Sequence, residues 1–244
     1  MEYNVHEVKW TEEKVAKFWD YCAGIDGLEY FSQEVGNEVI DIVVGQVPVT
    51  GEILDYGCGS GYLIRYLLDR KAGTVSGCDF SGASVEAVAK KFQAYSNFGE
   101  ATLISRIPTG MPSGKYDMVF CLETVEHLLD SFLDPTLKEL NRLLKVGGYV
   151  VVTTRNEENL EKLKVICPDC GAVFHRVQHV RSFSPVSIQS LFKNYSFESV
   201  YCETHTLGGS SRKWVRIAKK AARVLLRYPQ RVKPNLVYVG RKLR

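Results

Sequence analysis

Cys121-Leu122-Glu123-Thr124-Val125-Glu126-His127 places two carboxylates three residues apart, with an imidazole next to the second. On a loop entering a helix, that spacing sets the three side chains on adjoining faces. Such a set can bind a divalent cation that lowers the pKa of a hydroxyl, and oxygen-rich ligation with one imidazole suits Mg or Mn. Plainer roles are open to the same residues: Glu123 touching only a bound ligand or a helix terminus, and His127 acting as a general base or sitting as a buried helix histidine. A second cluster follows at Cys167-Pro168-Asp169-Cys170-Gly171 with His175 and His179, a C-x2-C-x4-H-x3-H pattern. A C-P-x-C-G turn aims backbone amides at thiolates, and two histidines four residues apart can complete a tetrahedral zinc. Three readings stay open. Cys167, Cys170, His175 and His179 bind zinc; or the cysteines bind it with His175 and another ligand while His179 faces elsewhere; or two free thiols on a polar loop bind nothing.

A third group lies upstream. Asp55-Tyr56-Gly57-Cys58-Gly59-Ser60-Gly61 follows a short apolar run and opens a helical one. The glycines permit a tight turn and close backbone approach to a ligand, but their spacing is not the G-x-G-x-x-G that seats a pyrophosphate. Asp55 suits a ligand's amino group and would repel a phosphate. Eighteen residues after Gly61, Asp79 ends a second apolar run, where a carboxylate can accept both hydroxyls of a ribose. Phe80 beside it can pack on an adenine. An NAD site or an ordinary Gly-rich turn is the competing reading.

At these residues the chain resembles the class I S-adenosylmethionine-dependent methyltransferases, through D-x-G-x-G-x-G, the spaced acid and the Tyr116-Asp117-Met118-Val119-Phe120 strand. The resemblance covers about residues 50 to 203 plus the closing strand. It implies a seven-stranded Rossmann-like α/β sheet with an antiparallel last strand. It also implies that Asp55, Gly57, Gly59 and Gly61 hold the methionine part of the cofactor and Asp79 the ribose, with Leu122 among the cofactor contacts. No Asn/Asp-Pro-Pro-Tyr follows the fourth strand, and no Pro-Cys nucleophile is present, so base-modifying chemistry loses weight. The E-x-x-E-H segment looks like that of the ubiquinone-pathway O-methyltransferases and of the small-RNA 3′-end 2′-O-methyltransferases, both of which use a divalent metal. In the RNA group a later histidine completes the metal site. Thr154-Arg155-Asn156-Glu157-Glu158-Asn159 and then Gln178-His179-Val180-Arg181-Ser182-Phe183 roughly match that order, which makes His179 the candidate fourth ligand beside Glu123, Glu126 and His127.

These residues need elements to hold them. Residues 11–44 read as helices, from Val15, Phe18, Trp19 and Cys22, and then Val35, Val39, Ile42 and Val43, at helical spacing. After Pro48 strands and helices alternate. Strands are expected at Ile53 to Asp55, Thr74 to Phe80, Leu103-Ile104, Tyr116 to Cys121, Tyr149 to Thr154, Phe197 to Cys202 and Leu236 to Gly240. Helices are expected at Tyr62 to Leu68, Ser84 to Tyr95, Pro135 to Leu144 (ended by Gly147-Gly148) and Pro185 to Tyr195. The alternation implies a sheet covered on both faces. An N-terminal helical segment, 1–47, would precede a methyltransferase domain, 48–244. The latter carries a Cys/His insertion at 156–183 and a basic one at 204–235, both leaving from strand ends where α/β sheets bind ligands.

The chain has 244 residues and a net charge of +3, but the charge is uneven. No Asp or Glu follows Glu203, whereas twelve Lys and Arg do; the first 203 residues hold 19 basic against 28 acidic side chains. Between 212 and 228, Arg212, Lys213, Arg216, Lys219, Lys220, Arg223 and Arg227 share one arc of a helical wheel, opposite Trp214, Ile217, Val224, Leu225 and Tyr228. A Lys/Arg-only polar face with Trp and Leu behind it suits an anionic membrane surface. Nucleic acid competes for the same charges, but the helix has a wide apolar face and the chain has no appended RNA-binding module. No run approaches the roughly 20 apolar residues of a membrane span, and the N-terminus is not a secretory signal. An odd number of cysteines, seven, fits reduced thiols. The expected protein is therefore cytoplasmic, peripheral at the inner membrane face. It is an S-adenosylmethionine-dependent O-methyltransferase acting on a small-molecule, lipid-linked or glycan hydroxyl, with Mg or Mn and zinc as metals. An RNA ribose 2′-O-methyltransferase is the second reading, and a non-catalytic S-adenosylmethionine-binding module the third.

Overall fold

A computed structural model describes residues 4–23, 25, 31–208 and 234–244. The basic segment 212–228 lies outside them. In chain order the elements are β1 (His6–Glu7), α1 (Glu12–Ala23), α2 (Phe31–Val44), β2 (Glu52–Tyr56), α3 (Tyr62–Asp69), β3 (Thr74–Asp79) and α4 (Gly82–Phe92). They continue with β4 (Phe98–Leu103), β5 (Tyr116–Leu122), α5 (Asp130–Leu143), β6 (Leu144–Arg155), β7 (Lys164–Ile166), β8 (Ala172–His175), α6 (Pro185–Lys193), β9 (Phe197–His205) and β10 (Asn235–Lys242).

Seven strands form the main sheet in the order β4-β3-β2-β5-β6-β10-β9, with β10 antiparallel to both neighbours and β2 to β6 parallel. Alternate residues of each strand point to opposite faces, so apolar strands buried on both sides divide their side chains between two cores. Leu54, Val119, Cys121, Val150 and Val152 join α5 and α6 through Leu137, Leu140, Ile188 and Phe192 on one face. Ile53, Val75, Met118, Phe120 and Val151 join α2, α3 and α4 through Val39, Leu63, Leu67 and Phe92 on the other. Each such side chain contributes about 1.5–3 kcal/mol when fully buried. α2 thus belongs to the sheet's own core.

Several boundaries differ from the sequence pattern. Gly147 and Gly148 do not end α5; they lie inside β6, where Gly147 has a φ of 82° and a Cβ on Gly148 would come within 2.9 Å of the Asp117 carbonyl. The glycines serve a close approach of neighbouring strands. β4 begins at Phe98, ahead of the apolar Leu103-Ile104 pair, because this half-exposed edge strand lacks a continuous apolar run. The N-terminal segment also carries a strand: β1 pairs with β8 of the Cys/His insertion, making a small sheet β1-β8-β7.

Candidate active site

The glycine loop joins β2 to α3 at the carboxyl edge of the sheet. Gly57, Gly59 and Gly61 have φ angles of 82°, 48° and 74°, the left-handed region that costs other residues about 1–2 kcal/mol. A methyl at Gly61 would meet Phe92 Cε2 at 2.7 Å. The loop is pinned from below, since the amides of Gly57 and Cys58 donate to the Cys78 carbonyl at 2.8 and 3.0 Å. Asp79, at the end of β3, accepts from the Gly59 and Ser81 amides, one on each oxygen, at 2.8 Å. Each oxygen keeps a further lone pair. Asp55 is buried, and burial, reinforced by the charge of Asp79, pushes its carboxyl up to about 8. Phe80 stands 44% exposed, edge-on to Tyr56 and Phe132. Leu122 is buried at the end of β5.

Glu123 to His127 follow β5 as a single turn, not the start of a helix; α5 begins only at Asp130. Glu123 adopts a φ of 45°, and its amide donates to the Thr153 carbonyl at 3.0 Å, so a strained residue opens the turn. The turn folds its acids inward. Glu126 is 1% exposed, and neither of its carboxylate oxygens has a hydrogen-bond partner among the described residues; Glu123 Oε1 and His127 Nδ1 are buried in the same condition. Burial pushes Glu123 up, and burial together with the Glu123 charge pushes Glu126 well up. Burial, helped by His179, lowers His127 to about 3, so its imidazole is neutral.

The insertion after β6 closes over this turn. The Val180 amide donates to the Glu126 carbonyl at 3.0 Å, and Gln178 Nε2 donates to the His127 carbonyl at 3.0 Å. His179 is thereby brought to the cluster: ligand atoms of Glu126, His127 and His179 lie within 4.8 Å of one another, and the rings of His127 and His179 meet edge to face. Burial of Glu158 is more than offset by the hydrogen bond and charge of His179, which hold its carboxyl below the usual range. From the N-terminal side, Trp19 of α1 donates to Gln178 Oε1 at 2.9 Å and sets its ring edge-on to His127 at 4.8 Å.

The C-x2-C-x4-H-x3-H set does not assemble. Cys167 and Cys170 sit in the turn between β7 and β8, half-buried and exposed, while His175 and His179 are buried and group with Glu158 and not with the thiols. The zinc site expected from spacing, in either of its two forms, finds no support among the described residues, because β8 is extended. Its backbone advances about 3.3 Å per residue and carries His175 away from the turn. The Cys167 thiol is nonetheless lowered by the backbone amides of Cys170 and Asp169, as the C-P-x-C-G turn implies.

Residues 14–201 match the methyltransferase domain family. The chain belongs to that family, as a class I S-adenosylmethionine-dependent methyltransferase. The methyltransferase is 26% identical over 175 residues to the ubiquinone biosynthesis O-methyltransferase of Vibrio parahaemolyticus, covering 67% of this chain and 72% of that one. It is 34% identical over 108 residues to the protein of the same name from Pseudomonas aeruginosa, and there the match covers 43% of this chain and 44% of the relative. The methyltransferase thus spans less than half the length of that relative. Its fold is shared by Burkholderia thailandensis 1,6-didemethyltoxoflavin-N1-methyltransferase, solved with S-adenosylhomocysteine, at a TM-score of 0.67 and 14% identity over 98% of this chain and 94% of that one.

Trp19, Thr124, Glu158 and Gln178 were not singled out from the sequence of the methyltransferase. Glu158 had a signal in the Thr154 to Asn159 stretch that precedes the later histidine. Gln178 opens the stretch that carries the later histidine, but its own role was hidden, because it depends on a φ of 58° and on partners 51 and 159 residues away.

Proposed function

We propose that the methyltransferase transfers the S-adenosylmethionine methyl group to a hydroxyl oxygen of a small-molecule, lipid-linked or glycan acceptor. Glu126 carries this reading: a carboxylate shut from water without a partner costs several kcal/mol unless it is protonated or meets a cation, and two imidazoles stand beside it. Glu126, His127 and His179, with Glu123 behind them, fit Mg or Mn in donor type. A cation held there would lower the pKa of an acceptor hydroxyl. The O-methyltransferase names of the Vibrio and Pseudomonas relatives support oxygen as the acceptor atom.

The cofactor's ammonium offsets the buried charge of Asp55, its ribose hydroxyls use the remaining lone pairs of Asp79, and its adenine packs on Phe80. Gly57, Gly59 and Gly61 let the backbone approach the methionine part, with Leu122 beside it. The reaction is an in-line displacement in which the acceptor oxygen bonds to the methyl carbon as the carbon–sulfur bond breaks, leaving S-adenosylhomocysteine. The hydroxyl proton passes to Oε1 of Glu123, which stands behind the proposed ligands, is buried without a partner among the described residues and belongs to a carboxyl that burial pushes up. His127, at about 3, is a poor base and a good lone-pair ligand.

A second reading, methylation of an RNA ribose 2′-hydroxyl, is favoured by His179 standing beside Glu126 and His127, the chain order of the small-RNA enzymes. Labelled S-adenosylmethionine offered with quinol, glycan-lipid and short RNA acceptors separates the two. Label in a base-stable ether of the small acceptors supports the first; label on the RNA ribose replaces it with the second. Among the described residues no helix is long and apolar enough to cross a membrane. The basic segment 212–228 brings the enzyme to an anionic surface, and unchanged flotation on anionic liposomes after its deletion removes that part of the proposal.

A further inference from the structure

Nδ1 of His179 is hydrogen-bonded to Oε2 of Glu158. Both side chains are 7% exposed, so the pair is sheltered from water. An ionised carboxylate can only accept, so the proton between them belongs to Nδ1, and a neutral imidazole with that proton has its lone pair on Nε2. Two further contacts fix the ring. His175 stacks on it at 4.7 Å with the planes 15° apart, and His175 Nδ1 takes the backbone amide of His179 at 3.1 Å. On its far side Glu158 is anchored in turn, with Oε1 3.8 Å from Nε of Arg155.

We infer that Glu158 is a positioning residue for the active site: by holding the His179 proton on Nδ1 it leaves Nε2 as the free lone pair that His179 offers to its group with Glu126 and His127. The inference rests on the reading that these residues hold a divalent cation. Carboxylates that orient ligating histidines fix the tautomer and raise basicity, and their loss weakens metal affinity by about 10–100-fold. Glu158 itself touches neither acceptor nor cofactor in this role.

The tautomer can be read without metal. In full-length nitrogen-15-labelled protein held in chelator, two-bond proton–nitrogen correlations of the His179 ring are expected to show Nδ1–H with a bare Nε2. Glu158→Ala is expected to move the ring toward Nε2–H, whereas Glu158→Gln, whose amide carbonyl still accepts, keeps the wild-type pattern. The same proteins are then titrated with Mn2+ and the free ion followed by electron paramagnetic resonance. Glu158→Ala is expected to weaken uptake by about 10–100-fold and Glu158→Gln by less. An Nε2–H tautomer in the wild type overturns the inference, and so does a Glu158→Ala protein with wild-type tautomer and wild-type Mn2+ affinity. If Glu158→Ala does not fold, the wild-type tautomer decides. If the wild type takes up no Mn2+ at millimolar concentration but shows the expected tautomer, the cation reading alone falls and Glu158 stands as the group that sets the His179 proton.

Discussion

Gly57 and Thr124 face each other so closely that a Cβ built on Gly57 lies 3.0 Å from Thr124 Oγ1. One belongs to the glycine loop and the other to the turn that carries Glu123 and Glu126, so the cofactor side and the acceptor side of the site share a seam. Thr124 is held there by a 3.0 Å hydrogen bond from its hydroxyl to the Leu122 carbonyl. Gly57→Ala is expected to destabilise the fold by about 2–3 kcal/mol, from left-handed strain and crowding together. Pairing it with Thr124→Ala relieves the crowding but not the strain. A thermal-unfolding cycle should therefore show a coupling of about 0.5–1 kcal/mol, and strict additivity would mean the seam is looser than described.

Trp19 reaches the site from α1, and its ring meets that of His127 edge to face at 4.8 Å. If the acceptor lies against it, Trp19→Ala raises the acceptor KM about tenfold, the loss of roughly 1.4 kcal/mol of aromatic contact, while cofactor affinity stays put. Trp19→Phe keeps the ring, gives up the hydrogen bond to Gln178 and should fall between. Equal loss of cofactor binding in both variants would place Trp19 in the scaffold instead.

The two halves of the site were unequally legible in the sequence. In the glycine loop, ligand contact, turn and helix start are all local, and each glycine occupies the left-handed conformation its type permits. The acceptor half depends on contacts between distant segments. The order of chain elements pointed to His179, but spacing also grouped it with Cys167 and Cys170, because sequence distance says nothing about an extended strand carrying His175 away from their turn. The pairing of β1 with β8 was equally hidden: two residues, His6 and Glu7, form it, too few for a periodic pattern.

Asp55 makes cofactor binding pH-dependent. Its folded pKa near 8 lies above the unfolded 3.8, so between those values the empty folded protein keeps a proton that the unfolded chain has lost. Stability without cofactor should therefore fall as pH rises through that window and level off above it. A bound ammonium favours the carboxylate, so binding at about pH 6.5 should expel about one proton. Calorimetry in buffers of different ionisation enthalpy counts it. Asp55→Asn should bind weakly with no proton released, and a wild-type count of zero would separate Asp55 from the cofactor's amino group.

Glu126 should cost the empty enzyme stability in return for function. Its two carboxylate oxygens are buried without a partner beside Glu123, and replacing such a group by an apolar one of similar size commonly stabilises by about 1–4 kcal/mol. In chelator, Glu126→Leu is therefore expected to raise the unfolding midpoint by about 2–16 °C, at roughly 2–4 °C per kcal/mol for a chain of this size. Mn2+ should raise the wild-type midpoint and leave that of Glu126→Leu where it is, and methyl transfer should be lost both in the variant and in wild type treated with EDTA. A variant less stable than wild type in chelator, together with a wild type indifferent to Mn2+, would make Glu126 an ordinary packed side chain. Transfer to the hydroxyl would then have to proceed without a cation at Glu126.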